Sequence, residues 1–140
     1  MADLHALELA LTLDPSTPEP VLALIREHME PYDWDAEDAD AEYTEEGEYI
    51  HPPLKVLAYH GPAHRVGGEC TADLTRTPAG WTLTARQEIH TETLPDVEQF
   101  LEALTPHLTT PGAPLGTLRF YENTDPEPIT PDASGAVRLS

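Results

Sequence analysis

Residues 69–90 read ECTADLTRTPAGWTLTARQEIH, two runs of alternating character separated by a turn signal. Pro78 and Gly80 supply the turn chemistry. A loop over Thr77 to Gly80 closes Arg76 against Trp81, and the register then pairs Leu74 with Leu83, Ala72 with Ala85 and Cys70 with Gln87. One face carries Cys70, Ala72, Leu74, Trp81, Leu83, Ala85 and Ile89. The other carries Glu69, Thr71, Asp73, Thr75, Thr82, Thr84, Arg86, Glu88 and His90. An odd-length loop would mix the two sets, so the pattern selects an even one. The result is a half-buried antiparallel hairpin that needs a cover on its apolar side.

The cover is sought on either side of the hairpin. Upstream, Leu7, Leu9, Leu11 and Leu13 alternate with Glu8, Ala10 and Thr12, which predicts a strand with one buried face. Asp14-Pro15 ends it. Thr17 is placed to cap a helix with Pro18 at its first position, where a missing N–H costs nothing. Val21, Leu22, Leu24, Ile25 and Met29 give that helix its apolar side, and Pro31 stops it. Leu54 to Tyr59 (LKVLAY) reads as a short strand, and Gly67-Gly68 allows a sharp entry into the hairpin. Downstream, Thr93 with Asp96 resembles a capping box, and Val97, Phe100, Leu101, Leu104 and Leu108 recur at helical spacing. Pro106 falls near the end of this helix. Trp81 is expected against it, near Phe100 or Leu104. A last strand, Gly116 to Glu122, places Leu118 and Phe120 inward, and residues 124–140, polar and rich in proline, read as a loose tail. The order strand, helix, strand, hairpin, helix, strand predicts an α+β two-layer sandwich, with a mainly antiparallel sheet of about five strands and two helices on one face. The nearest topology is the split βαβ arrangement of ferredoxin-like folds. One domain over residues 1–123 is expected, with an insertion at 30–49.

That insertion dominates the electrostatics. The 140-residue chain carries 26 acidic and 7 basic side chains, a formal net charge of −19. Residues 30–48, EPYDWDAEDADAEYTEEGE, hold ten of the acidic residues and no basic one, leaving 16 acidic against 7 basic elsewhere. Such a charge disfavours phosphate backbones and anionic membranes as partners and favours a basic protein, or simple solubility. Six of the seven basic residues are arginine, a bias that also fits a GC-rich genome or a high-salt cell. Cys70 is the one cysteine, on the apolar strand face, where it reads as a small buried hydrophobe. The first residues lack a basic n-region, so no signal peptide is expected, and no apolar run reaches the length of a membrane span.

Three groups of residues invite a chemical reading. His60 and His64 flank Gly-Pro-Ala, and Pro62 forbids the helix that would align them. That spacing offers too few ligands for a metal, and neither a metal nor another cofactor is expected. Arg86, Glu88 and His90 share the polar hairpin face, where a carboxylate and an imidazole two residues apart could do acid–base work. The same pattern describes a solvated face with cross-strand ion pairs. The acidic stretch is the strongest signal, because its charges are interleaved with Tyr32, Trp34 and Tyr43. Aromatic residues anchor interfaces while charges steer the encounter. Asp33, Trp34, Asp35, Glu37, Asp38, Asp40, Glu42, Tyr43, Glu45, Glu46 and Glu48 are the candidate contacts with a partner. Long loops inside compact domains are uncommon and often functional.

From Gly68 to Glu127 the layout is a hairpin bearing Trp81, a helix with Phe100-Leu101-x-x-Leu104, a Pro/Gly loop, the strand Gly116-Thr117-Leu118-Arg119-Phe120-Tyr121-Glu122, and an acidic end with Asp125 and Glu127. This resembles small α+β immunity proteins of bacterial polymorphic toxin systems, and also uncharacterised actinobacterial proteins with a similar ending. It covers under half of the chain. The resemblance implies a non-enzymatic cytoplasmic inhibitor of a toxin, often a basic nuclease; the acidic insertion departs from the family pattern. The expected function is therefore binding and occlusion of a basic protein partner. The alternatives are an enzyme or small-ligand domain using Arg86, Glu88 and His90, and a structural or phage-type accessory protein.

Overall fold

The computed structural model describes residues 4–30, 42, 43, 45–47, 49, 50, 55–63 and 65–139. In chain order the elements are β1 (Leu4–Leu13), α1 (Glu19–Met29), β2 (Glu42–Tyr43), β3 (Tyr49–Ile50), β4 (Gly61–Pro62), β5 (Glu69–Thr77), β6 (Gly80–His90), α2 (Leu94–Leu104), β7 (Gly116–Phe120) and β8 (Glu127–Ile129), with short 3-10 turns on either side of α2. Six strands form one sheet in the order β4-β5-β6-β1-β7-β8, and every neighbouring pair is antiparallel. Strands β1, β5, β6 and β7 with the two helices reproduce the split βαβ arrangement: β6 lies between β1 and β5, and β1 lies between β6 and β7. The expected α+β two-layer sandwich is the observed fold, with short strands added at both edges.

β1 is central because its leucines demand it. Leu7, Leu9, Leu11 and Leu13 are buried on one face. β1 is paired on one side with β6 (Leu9 opposite Ala85, Leu11 opposite Leu83) and on the other with β7 (Leu7 opposite Leu118). Ile25 from α1 and Val97, Phe100, Leu101 and Leu104 from α2 close over this face in one continuous core. The β5–β6 hairpin has the expected register, with Leu74 opposite Leu83 and Ala72 opposite Ala85. Its loop is tighter than expected, since Thr77 and Gly80 also pair and only Pro78 and Ala79 turn. A Cβ at Gly80 would lie 2.1 Å from the Leu13 carbonyl oxygen, so glycine is what allows the hairpin tip to lie against the end of β1.

Several local expectations are corrected. Lys55 to Tyr59 of LKVLAY do not form a strand: Val56, Leu57 and Ala58 are buried, but the chain from Lys55 to His60 is irregular, and Leu54 lies outside the described residues. Thr17 does not cap α1; its hydroxyl donates to the Asp14 carbonyl and closes the preceding turn. Thr93 likewise donates to the His90 carbonyl rather than capping α2. Trp81 is half-buried beneath α1, not α2, with Arg26 and Arg76 over its ring at 5.5 and 5.3 Å. It sits opposite Leu13 at the hairpin-tip end of the sheet.

Residues 124–139 are part of the fold and not the loose tail that the composition of 124–140 predicts. β8 pairs with β7, and Ile129, Val137 and Leu139 are buried in the main core. α2 holds this segment directly: Glu102 accepts from the Val137 amide at 3.0 Å and Glu98 from the Leu139 amide at 2.8 Å. Thr105 donates to the Gly135 carbonyl. The two glutamates lie four apart on one helix face, so they meet alternate amides of an extended chain whose alternate side chains enter the core. Ile129→Ala is expected to lower stability by about 2–5 kcal/mol in urea denaturation, as large core truncations do. A loose tail would give a change within about 0.5 kcal/mol.

Candidate functional site

Of the candidate contacts in the acidic stretch, Asp33, Trp34, Asp35, Glu37, Asp38, Asp40 and Glu48 lie outside the described residues. Glu42 and Tyr43 form β2, which pairs antiparallel with β3, Glu42 opposite Ile50 and Tyr43 opposite Tyr49. Glu45 and Glu46 occupy the turn between them and are exposed. The described residues here therefore form a small β-ribbon with two exposed carboxylates at its turn. The sequence signal for it was the Tyr and Ile residues flanking a turn at Gly47.

Where the chain returns from the acidic stretch, its backbone is fixed by side chains. The Val56 amide donates to Nδ1 of His28, near the C-terminal end of α1, at 3.1 Å. Only a neutral imidazole can accept there. The ring packs on Phe100 with centroids 4.5 Å apart. Burial holds the His28 pKa below the ordinary 6.5; neighbouring Glu27 opposes this and Lys55 adds to it. Three residues on, Gln87 takes over. Its side chain, fully buried in the apolar row of β6, accepts from the Tyr59 amide at 3.0 Å and donates to the Tyr59 carbonyl at 2.9 Å. A polar residue opposite Cys70 in an otherwise apolar row was the sequence sign of this role.

Arg86 and Glu88 are brought together on the polar hairpin face, and both are engaged by the loop that precedes β5. Glu88 is buried and accepts from the Arg65 and Val66 amides at 2.7 and 3.1 Å. Arg86 donates to Glu8 at 2.7 Å, to the Val66 carbonyl at 3.3 Å and to the Gly67 carbonyl at 2.8 Å. Arg119 of β7, which sequence reading passed over, reaches the Val66 carbonyl at 2.8 Å. Val66 is thereby seated over Leu4 and Ala6 in a second, smaller apolar cluster. His90 lies at the end of β6 and is exposed. The geometry is that of a loop clamp: two guanidinium groups donate to carbonyls and one carboxylate accepts from amides. A cavity of about 180 Å³ opens elsewhere, between β1 and the segment after α2, lined by residues such as Thr12, Leu108, Thr109 and Pro114, with no ionisable side chain.

His60 is exposed, and His64 lies outside the described residues. Among the described residues no group of three or more His, Cys, Asp or Glu is placed to hold a metal ion. Cys70 is buried, and burial pushes its thiol pKa up, as suits a small core residue. No helix among the described residues is long and apolar enough to cross a membrane.

Two outcomes follow from these anchors. The unfolded chain protonates His28 near 6.5 and the folded chain only at lower pH. Its contribution to stability is therefore complete above about 6.5 and is lost as the pH falls through the interval between the two values. Stability measured from about pH 7 to about pH 5 should decline more steeply for the wild type than for His28→Gln; equal slopes would remove His28 from this role. Glu88→Ala should strand two amides at about 1–3 kcal/mol each and speed amide exchange at Arg65 and Val66. A purely catalytic Glu88 would leave that exchange unchanged.

No protein-family model, no curated protein and no solved structure matches this chain.

Proposed function

We propose that the protein binds and occludes a basic protein partner in the cytoplasm, with the acidic stretch as the contact surface. The toxin-neutralising role implied by the resemblance to immunity proteins is the most specific form of this reading. The observation that supports it is the acidic ribbon tip, where Glu45 and Glu46 are exposed inside a nineteen-residue stretch with ten acidic side chains and no basic one. Carboxylates grouped on one segment with no base among them raise the local concentration of a cationic partner and its rate of encounter, by roughly ten- to a thousandfold at low salt. The interleaved Trp34 and Tyr43 are suited to anchoring the complex once formed. The alternative centred on Arg86, Glu88 and His90 has less support, because Arg86 and Glu88 hold the loop before β5.

The test is binding kinetics at two salt concentrations against the basic protein recovered from the native lysate. Asp35→Asn, Asp38→Asn and Asp40→Asn, combined with Glu45→Gln and Glu46→Gln, should mainly slow association and flatten its salt dependence. Trp34→Ala should mainly speed dissociation, by about 2 kcal/mol or more. Unchanged rates in both variants, with the fold intact, would move the contact off this segment.

A further inference from the structure

We infer that the free edge of β5, from Ala72 to Arg76, takes an extended segment of the partner by strand addition, and that the segment alternates basic with apolar residues. This rests on the reading above that the partner is basic, and it adds a second contact of a different kind.

Among the described residues the edge is open, and for a structural reason. β4 pairs with β5 only at Gly61–Cys70 and Pro62–Glu69. Continued upstream, β4 would lay Tyr59 beside Ala72. Gln87 prevents this by taking both the amide and the carbonyl of Tyr59 on the core side of the sheet. The chain leaves the edge there, and among the described residues Ala72 to Thr77 have no strand on the side away from β6. The outer edges at the two ends of the sheet otherwise carry proline: Pro62 in β4 and Pro128 in the three-residue β8. Proline and short length are how sheets close their edges. The β5 run from Ala72 to Thr77 has neither.

The phase of the exposed groups follows from the hydrogen bonds. Thr77 and Gly80 close a two-residue loop as a mutually bonded pair, so odd-numbered residues of β5 face β6. Independently, the Gly68 carbonyl accepts from Ala63 on the outer side, which assigns even-numbered residues to the edge. Ala72, Leu74 and Arg76 therefore present their amides and carbonyls outward. The side chains beside the edge specify the guest. On the open face Glu69 and Asp73 are exposed, and on the helix face Ala72 and Leu74 are half-buried. An added strand alternates its side chains between the same two faces. Lysine or arginine on one face and valine or leucine on the other would meet opposite charge and apolar surface respectively. A second copy of this chain fits poorly, since it would bring another net charge of −19 to the same carboxylates.

The test uses the full chain and a capped seven-residue peptide alternating lysine and valine, with two further forms N-methylated on alternate amides in the two possible phases. Binding is read by amide exchange and by titration at about physiological salt. The expected result is slowed exchange at Ala72, Leu74 and Arg76, and about tenfold or greater loss of affinity for one N-methylated form but not the other. Ala72→Pro removes an outward amide and should weaken the peptide similarly, while Glu45→Gln with Glu46→Gln should change its affinity less than about threefold. The peptide comparison stands even if Ala72→Pro does not fold. Absence of binding would overturn strand addition, as would equal affinity for all three peptides or an affinity that follows only salt and the Glu45/Glu46 charges. None of these would affect the acidic-surface reading, which is tested on the whole partner.

Discussion

The register of β1 is the constraint on which the rest of the structure depends. Its ten residues are hydrogen-bonded along one side to β6 and over much of the other to β7, with the leucines at 7, 9, 11 and 13 under the helices. A slip by one residue would exchange those leucines for Glu8, Ala10 and Thr12, which no helix face could cover. Because β1 is central, its register also fixes those of its neighbours. β6 must present Leu83, Ala85 and Ile89 to the same core, and β7 must present Leu118. The β5–β6 hairpin is thus held from its partner strand β1 as well as by its own turn.

Outside the sheet and helices the fold relies on one device used repeatedly. Buried irregular chain must find partners for its amides and carbonyls. Here long polar side chains on regular elements supply them: His28 for Val56, Gln87 for Tyr59, Glu88 with Arg86 and Arg119 for Arg65 to Gly67, and Glu98 with Glu102 for Val137 and Leu139. Each side chain belongs to a strand or a helix, and each receiving segment is irregular. The core can therefore be covered by connections with no regular structure of their own, at the cost of dependence on single side chains.

This device also marks the limit of what the sequence revealed. The hairpin register, β1 and the apolar faces of both helices were legible because period-two and period-3.6 patterns report burial directly. Leu54 to Tyr59 was misread because a short apolar run looks alike in a strand and in a buried coil. The difference lies in Gln87 and His28, distant in sequence. The C-terminal segment was missed for a related reason: its proline and polar content hides the spacing of Ile129, Val137 and Leu139, and Glu98 and Glu102 resemble an ordinary solvated helix face. Trp81 was placed under the wrong helix because periodicity gives the face of a strand and not which helix crosses which end. For the site, the sequence showed where charge concentrates. It could not show that Arg86 and Glu88 are occupied by a loop, which is a matter of tertiary contact alone.

Charge and backbone do separate work in this molecule. Among the described residues, Arg26 pairs with Glu19 and Arg86 with Glu8, while Arg119 binds carbonyls and Arg76 lies over Trp81. Four of the seven basic side chains thus serve local contacts, and the acidic stretch contains no base of its own. A field of that kind acts over roughly 8–10 Å at physiological salt, fixes no geometry and discriminates weakly among cationic partners. A binding surface of the proposed kind therefore needs short-range contacts whose strength does not come from charge, and the two candidates are the aromatic residues in the sequence of the acidic stretch and the outer backbone edge of β5. An unpaired edge is ordinarily a hazard, since it invites pairing with any extended chain. A net charge of −19 repels other copies of the chain, so under the strand-addition proposal the edge would admit cationic strands while like-charged ones are kept away.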